Sequence, residues 1–384
     1  MIPKEQPYLN GMCYVYKYSE DHVSVDTAAK LMSDMNVKSM RSWCHISWLL
    51  DSPYKVNADE CRKFHRMHKA MYTAGVAQIV GMSHTWFYTE DCQNIRSDMF
   101  SVPSRDTSTG SVYMRFLELY EISWYTLAKE FTEIRYWETG NEHNHDPFLH
   151  PLNYTDDTDN NIFTLREKAE ISVDMMFFAA KGIRRANPDA VIIMPGMAPV
   201  AEKGLGVVGD NVSVDYGGMV KTLDTIYRII LGSESFSDDP RDFFDALAWH
   251  PYYAVQNEDL SWKWQIPDEK WIKLNLQVYD VAVQNGDDGI DCYFSEFGFN
   301  DFGSDEIDAE LTEHIVRGID IIRSELPFVA NIHAYRLFEY LDVENQTDTY
   351  SFFKVRSDGV HAKKRAIALQ KAYGGHGDLT LLPL

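Results

Sequence analysis

Three absences narrow the kind of protein that this sequence encodes. No stretch reaches the ~18 uninterrupted apolar residues that a membrane-spanning helix needs. Basic residues are few, since 36 Lys and Arg stand against 58 Asp and Glu and give a formal net charge of −22. Such a surface repels nucleic acids and anionic membranes, so we expect neither as a partner.

Cysteine is also scarce. The five cysteines are an odd number and form no Cys-x-x-Cys pair, which argues against a disulfide framework or a zinc ribbon. Cys13, Cys44 and Cys292 fall in apolar runs, where we expect buried, reduced thiols. The N-terminal residues 1–6 lack the basic start and apolar run of a secretory signal. Both features predict a cytoplasmic protein, although a signal removed earlier would leave the same sequence.

Hydrophobic residues make up 45% of the 384 residues, enough for a large core. Short apolar runs alternate with longer amphipathic segments, and this alternation repeats eight times. The runs lack strict polar–apolar alternation, which is typical of strands buried on both faces of a parallel sheet. The eight predicted strands are 11–16, 37–45, 75–82, 133–140, 190–196, 244–251, 291–298 and 330–338.

Eight strand–helix units predict an α/β protein with a closed (β/α)₈ TIM barrel, and a doubly wound open sheet is the alternative. No linker or low-complexity tract interrupts the chain, so residues 1–384 are predicted to form a single domain. The longest loops all follow strands, on the face where barrel enzymes bind substrates. Helices are predicted at 59–74, 112–131, 165–186, 219–231, 269–283, 307–326 and 362–372. The longest loops are 83–111, 143–164, 198–218 and 254–268.

Two glutamates stand where predicted strands end. Glu142 closes the run YWETGNE after strand four, and Glu296 interrupts the apolar run YFSEFG of strand seven. Strands four and seven face each other across a barrel mouth, so the two carboxyl groups are expected to converge. A separation of ~5–5.5 Å suits a retaining glycosidase, in which one carboxylate attacks the anomeric carbon and the other acid protonates the leaving oxygen. The proton donor is expected to have a raised pKa, supplied by an apolar pocket and the neighbouring carboxylate.

Other strand ends also turn polar where the apolar run stops. Arg41 lies on strand two, His84 follows strand three, and His250 and Tyr252 follow strand six. With Arg336 near strand eight, six of the eight strand ends carry such residues. This recurrence, together with an aromatic content of 13%, favours a polar cleft for carbohydrate, because sugar rings stack on aromatic faces.

These motifs and their order resemble glycoside hydrolase clan A over nearly the whole chain. The pair Asn141-Glu142 is similar to the clan's Asn-Glu pair, which implies that Glu142 is the acid/base and that Asn141 binds the sugar 2-hydroxyl. Glu296 matches the nucleophile position. The resemblance therefore implies double displacement, a carbohydrate substrate with a β-linkage or the equivalent α-L-arabinoside, and no metal or cofactor.

Further residues carry the same resemblance. Arg41 is similar to the strand-two arginine that contacts the nucleophile. His250 and Tyr252 resemble the strand-six His-x-Tyr, whose tyrosine hydrogen-bonds the nucleophile. His84 is similar to the strand-three histidine of the cellulase branch, and 353–363 resembles the closing turn after strand eight.

The sequence also departs from the clan. The usual strand-eight tryptophan is missing, so Tyr335, Phe338 or Tyr340 would have to supply the stacking face. Gly140 points to the arabinofuranosidase, glucuronidase and xylosidase branches, whereas His84 points to cellulases and mannanases. The branch, the sugar, exo or endo action and the oligomeric state therefore stay open.

Aromatic side chains in the long loops are candidates for sugar-stacking platforms. Each of them has ordinary packing as its alternative, and only their clustering favours a carbohydrate cleft. They are Trp86, Phe87, Tyr88, Trp262 and Trp264.

The glutamates have structural alternatives. Glu296 is also compatible with a core carboxylate paired with Arg41, and Glu142 with a solvated loop acid. Glu138, four residues before Glu142, is interpreted as an interior acid rather than a catalyst. His250 fits packing as well as it fits catalytic support.

Two other functions remain open. The run His143-Asn144-His145-Asp146 has metal-ligand character, so a metal-dependent hydrolase using His143, His145, His84 and His250 is the first rival. A polar loop is the simpler interpretation of that run. A non-catalytic carbohydrate-binding barrel is the second rival.

Overall fold

The computed structural model describes residues 8–84, 86, 100–152, 162–200, 215–256, 262–339 and 349–384. Eight strands in this part of the chain close into a barrel in which every neighbouring pair is parallel. Around the barrel the strands follow in chain order, and the eighth pairs with the first. The strands are β1 (Tyr8–Tyr14), β2 (Ser39–Trp43), β3 (Gln78–Met82), β4 (Tyr136–Glu138), β5 (Val191–Ile193), β6 (Ala246–Trp249), β7 (Asp291–Phe297) and β8 (Val329–Ala334). The predicted (β/α)₈ barrel is therefore confirmed.

Eight longer helices in the described residues alternate with these strands. They are α1 (Val25–Asp34), α2 (Ala58–Thr73), α3 (Val112–Glu130), α4 (Leu165–Ala186), α5 (Gly217–Leu231), α6 (Glu269–Gln284), α7 (Asp305–Glu325) and α8 (Lys364–Ala372). None of the helices in these ranges is long and apolar enough to cross a membrane.

Local side-chain bonds set where several of these helices begin. The hydroxyl of Thr164 accepts from the backbone N–H of Glu167, and the Glu167 carboxylate accepts from the backbone N–H of Thr164, which is a complete capping box at the start of α4. Asp268 caps α6 by accepting from the N–H of Trp271. Helix α1, which the sequence did not lead us to predict, is capped by Ser24. Each of these caps fixes the residue at which its helix begins.

Short strands and single helical turns lie outside the eight-stranded barrel sheet. Three two-stranded pairings join Leu50–Ser52 with Lys55–Val56, Ser101–Val102 with His150–Pro151, and Ala254–Gln256 with Trp262–Trp264. A three-stranded sheet combines Phe353–Arg356, Gly359–Ala362 and Leu381–Leu382. Single helical turns cover Tyr16–Tyr18, Ile46–Leu49, Asp146–Phe148 and Pro240–Asp242.

The segment after β8 is tied to the loop after β7 by buried charges. Lys363 Nζ and Arg365 Nη2 lie 2.7 and 2.8 Å from Asp301 Oδ2, and Arg365 also donates to the carbonyl of Ser351. All three charged groups are buried. Because a buried charge is costly unless it is paired, this cluster fixes the closing turn against the loop that follows β7.

The core fills the space between strands and helices, and a smaller apolar cluster lies at the carboxyl ends of β1, β2, β3 and β8. This cluster contains Cys13, Val15, Trp43, Met82 and Tyr335. It forms an apolar wall beside the polar residues described below. Four cysteines, Cys13, Cys44, Cys61 and Cys292, are buried free thiols, whereas Cys92 lies outside the described residues.

Candidate active site

Arg41 is the centre of the polar network in the barrel. Its side chain is fully buried on β2 and donates to three groups from other strands. Nε and Nη2 contact the two oxygens of Glu138 at 2.6 and 3.1 Å, Nη1 contacts Glu296 Oε1 at 2.6 Å, and Nη2 contacts Asn141 Oδ1 at 2.9 Å. Burial alone would lower the pKa of Arg41, but the carboxylates of Glu138 and Glu296 raise it above its usual value. One guanidinium therefore orients three candidate site groups.

Glu296 is held from two sides at the end of β7. Arg41 binds its Oε1, and the hydroxyl of Tyr252 donates to its Oε2 at 2.8 Å. Burial and the charge of Glu296 raise the pKa of Tyr252 well above its usual value, so the phenol keeps the proton that it donates. Two donors therefore fix the Glu296 carboxylate, and the contacts of Arg41 and Tyr252 with it are those expected from the sequence.

Glu142 owes its position to an uncommon backbone conformation. Its φ angle is +49°, in the left-handed region that few non-glycine residues adopt. The backbone N–H of Glu142 donates to the carbonyl of Gly196 at 2.7 Å, and the N–H of His145 donates to the carbonyl of Glu142 at 2.8 Å. This tight turn directs the carboxyl group of Glu142 into the barrel mouth.

Two imidazoles flank the Glu142 carboxylate. His250 Nδ1 lies 2.6 Å from Oε1, and His145 Nδ1 lies 3.8 Å from Oε2. Burial would raise the pKa of Glu142, but the adjacent imidazoles of His145 and His250 lower it to about 2. The pKa of His250 moves the other way: burial would lower it, but the charge of Glu296 and the bond to Glu142 raise it. The expectation of a raised pKa for Glu142 is therefore wrong for this structure, because histidines face the carboxyl group.

The two candidate carboxyl groups do converge. Ligand atoms of Glu142, His250 and Glu296 all lie within 4.8 Å of one another. Across the described ranges, these residues form the one group of three or more His, Cys, Asp or Glu side chains spaced closely enough for a metal ion. The four histidines of the metal-dependent alternative, His84, His143, His145 and His250, do not form such a group.

Glu138 and Asn141 complete the network beside β4. Glu138 is fully buried and bonds Arg41 through both oxygens, and it also accepts from the backbone N–H of Gly196 at 3.2 Å. Asn141 pairs with Gly196 in an isolated parallel bridge. Glu138 is thus a support for Arg41, in agreement with its interpretation as an interior acid.

Gly196, which follows β5, was missed because it ends a predicted apolar strand and carries no polar side chain. A side chain there would collide with the network, since a Cβ atom would lie 2.5 Å from His250 Nε2, 2.6 Å from Ser295 Oγ and 3.0 Å from Glu138 Oε1. The only sequence signal was a glycine at the end of a predicted strand, where close backbone approach is one possible cause.

Two predicted stacking platforms are packed inside the protein. Trp86 is 2% exposed and donates from Nε1 to the carbonyl of Ser101. Trp264 is buried and donates to the carbonyl of Asn300. Both indoles therefore stabilise loops, and the prediction that Trp86 offers a sugar-stacking face is wrong for this structure. Phe87, Tyr88 and Tyr340 lie outside the described residues, as does the side chain of Trp262.

Tyr335 and His84 lie on the expected face of the barrel. Tyr335 follows β8 and belongs to the apolar wall with Trp43. It is buried, and its ring lies 5.7 Å from that of Tyr350. Phe338 is also buried. His84 stacks on His45 with ring centroids 4.1 Å apart. Burial and the charge of Arg41 lower the pKa of His84 to about 3, so its imidazole is neutral.

No family model and no curated protein matches this sequence. Solved structures do match. A family 39 glycoside hydrolase from the gut symbiont Bacteroides cellulosilyticus WH2 gives a TM-score of 0.61 at 12% identity, over 97% of this chain and 65% of that chain. A family 5 enzyme from Prevotella bryantii B14 gives 0.60 at 11% identity, over 97% and 99% of the two chains. A β-glucosidase from Thermotoga maritima gives 0.57 at 14% identity, over 98% and 100%.

What these proteins share with this chain is the barrel. The fold that the resemblance to clan A implied is therefore confirmed. At these identities the likeness shows the fold alone, so the function has to be argued from the side chains at the barrel mouth.

Proposed function

We propose that this protein is a retaining glycoside hydrolase, with Glu296 as nucleophile and Glu142 as acid/base. Its substrates are β-linked oligo- or polysaccharides or the equivalent α-L-arabinosides. The observation that carries the proposal is the approach of the two carboxylates within 4.8 Å, with Glu296 held by Arg41 and Tyr252. So close a pair leaves no room for a water between the carboxylates and the sugar, which is the spacing of retaining rather than inverting enzymes.

The reaction proceeds in two displacements. In the first, an oxygen of Glu296 forms a bond to the anomeric carbon while the bond to the leaving oxygen breaks, and that oxygen takes a proton from Glu142. In the second, Glu142 removes a proton from water, the water oxygen bonds to the anomeric carbon, and Glu296 leaves as carboxylate. Glycoside and water become sugar and alcohol, and the configuration at the anomeric carbon is retained.

The neighbouring residues support these steps. Arg41 and Tyr252 hold and aim the Glu296 carboxylate by binding one oxygen each. Asn141 accepts from Arg41 through Oδ1, so its amide NH₂ group is the donor available for the sugar 2-hydroxyl next to the reacting carbon. A hydrogen bond to that hydroxyl strengthens as charge develops in the transition state.

A panel of aryl β-glucoside, xyloside, mannoside and galactoside with an aryl α-L-arabinoside tests the proposal. The aryl β-glucoside is assayed first because a β-glucosidase is among the structural neighbours. Glu296→Ala and Glu142→Ala are each expected to lose most of the activity on the best substrate. Glu313→Ala, which removes an exposed carboxylate on α7, is the matched control and is expected to keep it.

Azide assigns the two roles. With Glu296→Ala, azide attacks from the side that the nucleophile occupied and gives a glycosyl azide of inverted configuration. With Glu142→Ala, azide attacks the glycosyl-enzyme and gives retained configuration. NMR of the products gives the configuration at the anomeric carbon directly. Full activity of Glu296→Ala, or an inverted sugar product from the wild-type protein, would contradict the proposal.

The spacing of Glu142, His250 and Glu296 also fits a metal ion, so a metal-dependent hydrolase is the second candidate. Activity that is abolished by a chelator and restored by zinc would favour it. Carbohydrate binding without turnover on the whole panel would instead favour a binding barrel.

A further inference from the structure

Four apolar side chains form a stripe on the outside of α6. They follow one another at intervals of four, three and four residues, which places them on one side of a helix. Leu276 and Val283 are 36% and 41% exposed, and the other two are half-buried. The residues of α6 that face the core occupy a different side of the helix. The α6 stripe consists of Ile272, Leu276, Tyr279 and Val283.

The α6 stripe differs from the solvent side of another outer helix. On α2, the exposed side includes Arg62, Lys63, Arg66 and Lys69, as expected for a helix that faces water. Single exposed apolar residues are ordinary on protein surfaces, but a row at heptad spacing has the pattern by which two helices pack. Ile266, which is 37% exposed just before α6, continues the apolar surface. The pattern is therefore typical of a surface that a second helix covers.

Two exposed charges lie beside the α6 stripe. Lys273 follows Ile272 and Asp280 follows Tyr279, so both charges lie on the same flank of the stripe, seven residues apart. This separation corresponds to about 10 Å along the helix axis. Within the described ranges neither side chain has an ion-pair partner. The two halves of the stripe therefore carry opposite charges on one flank.

Two antiparallel copies of α6 would bury the stripe and pair both charges. About a two-fold axis, Leu276 of one copy faces Tyr279 of the other, and Ile272 faces Val283. In this register Lys273 of one copy lies beside Asp280 of the other, and the symmetry gives this pair twice. In a parallel arrangement the two charges would stand at different levels, about 10 Å apart, and neither pair would form. The charges therefore favour an antiparallel arrangement of two copies of this chain.

We propose that the α6 stripe is the contact surface of a homodimer, in which two copies of α6 pack antiparallel about a two-fold axis. The contact is small, because a helix of 16 residues is about 24 Å long and one helix pair lies at the low end of interface areas. Each copy also carries a formal charge of −22, which opposes association at low ionic strength. We therefore expect a reversible dimer with a Kd of roughly 10–100 µM at physiological ionic strength. The inference concerns the outside of the barrel and does not depend on the proposed function.

Sedimentation equilibrium of the whole chain at physiological ionic strength tests the dimer. Between about 5 and 500 µM protein, the average mass is expected to rise from that of one chain toward that of two. Leu276→Glu places a charge against Tyr279 of the other copy, so it is expected to weaken association at least about 10-fold. Leu231→Glu is the matched control, because Leu231 is 46% exposed at the end of α5, and it is expected to change nothing. Val283→Glu is a second variant of the stripe should circular dichroism show that Leu276→Glu folds poorly.

An exchange of charges tests the antiparallel register. Lys273→Glu alone and Asp280→Lys alone each place like charges together twice, so each variant is expected to associate about 5- to 30-fold more weakly than wild type. In a mixture of the two variants, the new glutamate of one copy meets the new lysine of the other, and the unchanged Asp280 meets the unchanged Lys273. The mixed dimer is therefore expected to recover a Kd within about threefold of the wild-type value.

Several outcomes would overturn the dimer. A wild-type protein that stays monomeric up to about 500 µM would show that the stripe is not covered by a second copy. An equal loss of association in Leu231→Glu, or unchanged association in both Leu276→Glu and Val283→Glu, would place the contact elsewhere. A mixture of the two charge variants that associates no better than either variant alone would contradict the antiparallel register.

Discussion

Replacement of Gly196 by alanine tests whether the site depends on close backbone approach. The added methyl group would lie 2.5 Å from Nε2 of His250 and 2.6 Å from Oγ of Ser295. Ordinary carbon–nitrogen contacts begin near 3.4 Å, so His250 or the β5 backbone has to move by about 1 Å. Neither has room, since His250 is fully buried and the Gly196 carbonyl holds the backbone of Glu142.

The cost follows from these contacts. One methylene too many in a packed interior destabilises a protein by about 1–3 kcal/mol. A displacement of about 1 Å at reacting groups costs roughly 100-fold in rate. We therefore expect Gly196→Ala to lower kcat on the best aryl glycoside by roughly 100-fold. The substrate KM is expected to change much less, because His250, which the added methyl group would displace, bonds the proposed acid/base rather than the sugar.

Gly289→Ala is the matched control, because a Cβ there would meet no atom within 4 Å. Stopped assays with the aryl glycoside give kcat and KM, and urea unfolding gives the loss of stability in both variants. If Gly196→Ala kept kcat within threefold of wild type while its unfolding curve was unchanged, the packing argument would be refuted. A loss of stability in Gly289→Ala equal to that in Gly196→Ala would also refute it.

Three further predictions concern charge and hydrogen bonding. Tyr252→Phe removes a bond to the charged Glu296 carboxylate worth about 1.5–3 kcal/mol, so kcat/KM is expected to fall about 10- to 150-fold with the fold intact by circular dichroism. Because the pKa of Glu142 is lowered to about 2, it stabilises the fold above its unfolded pKa, and this contribution is lost as the pH falls toward 2. Urea unfolding of Glu142→Gln should consequently depend less on pH between 5 and 2 than wild type does, and an equal dependence would contradict the assignment. Because the pKa of His250 is raised above its ordinary value of 6.5, we expect the pH at which activity is lost on the alkaline side to lie above 6.5. His250→Asn is expected to shift this alkaline limit to lower pH.

The fold was predictable because the barrel repeats one simple pattern. Strands buried on both faces give short apolar runs, and seven of the eight helices show their apolar spacing clearly. Strand ends were predicted less well. The run 133–140, for example, contains only the three-residue strand Tyr136–Glu138, because the chain leaves the barrel early to form the turn at Glu142. Helix α1 was not predicted because it is short, although Ser24, the residue that caps it, marks its start in the sequence.

The sequence was enough to predict that the candidate site residues converge, but not the directions of their pKa shifts. The rule that polar side chains at strand ends meet at one face brought Arg41, Glu142 and Glu296 together from sequence alone. The pairing of imidazoles with carboxylates depends on side-chain rotamers and on the left-handed backbone angle at Glu142. Neither can be inferred from the spacing of residues in the sequence. For that reason the sign of the pKa change at Glu142 could not be predicted from the sequence.

The lowered pKa of Glu142 agrees with its proposed role once it is considered together with His250. The two groups are 2.6 Å apart and their pKa values shift in opposite directions, so they titrate as a coupled pair. In the proposed first displacement the pair would give up one proton through the carboxyl group of Glu142, which would leave a neutral imidazole beside a carboxylate. That product is the base needed for the second displacement. In the proposed glycosyl-enzyme, Glu296 would no longer carry the negative charge that raises the pKa of His250, so this cause of a protonated imidazole would be absent while water is deprotonated.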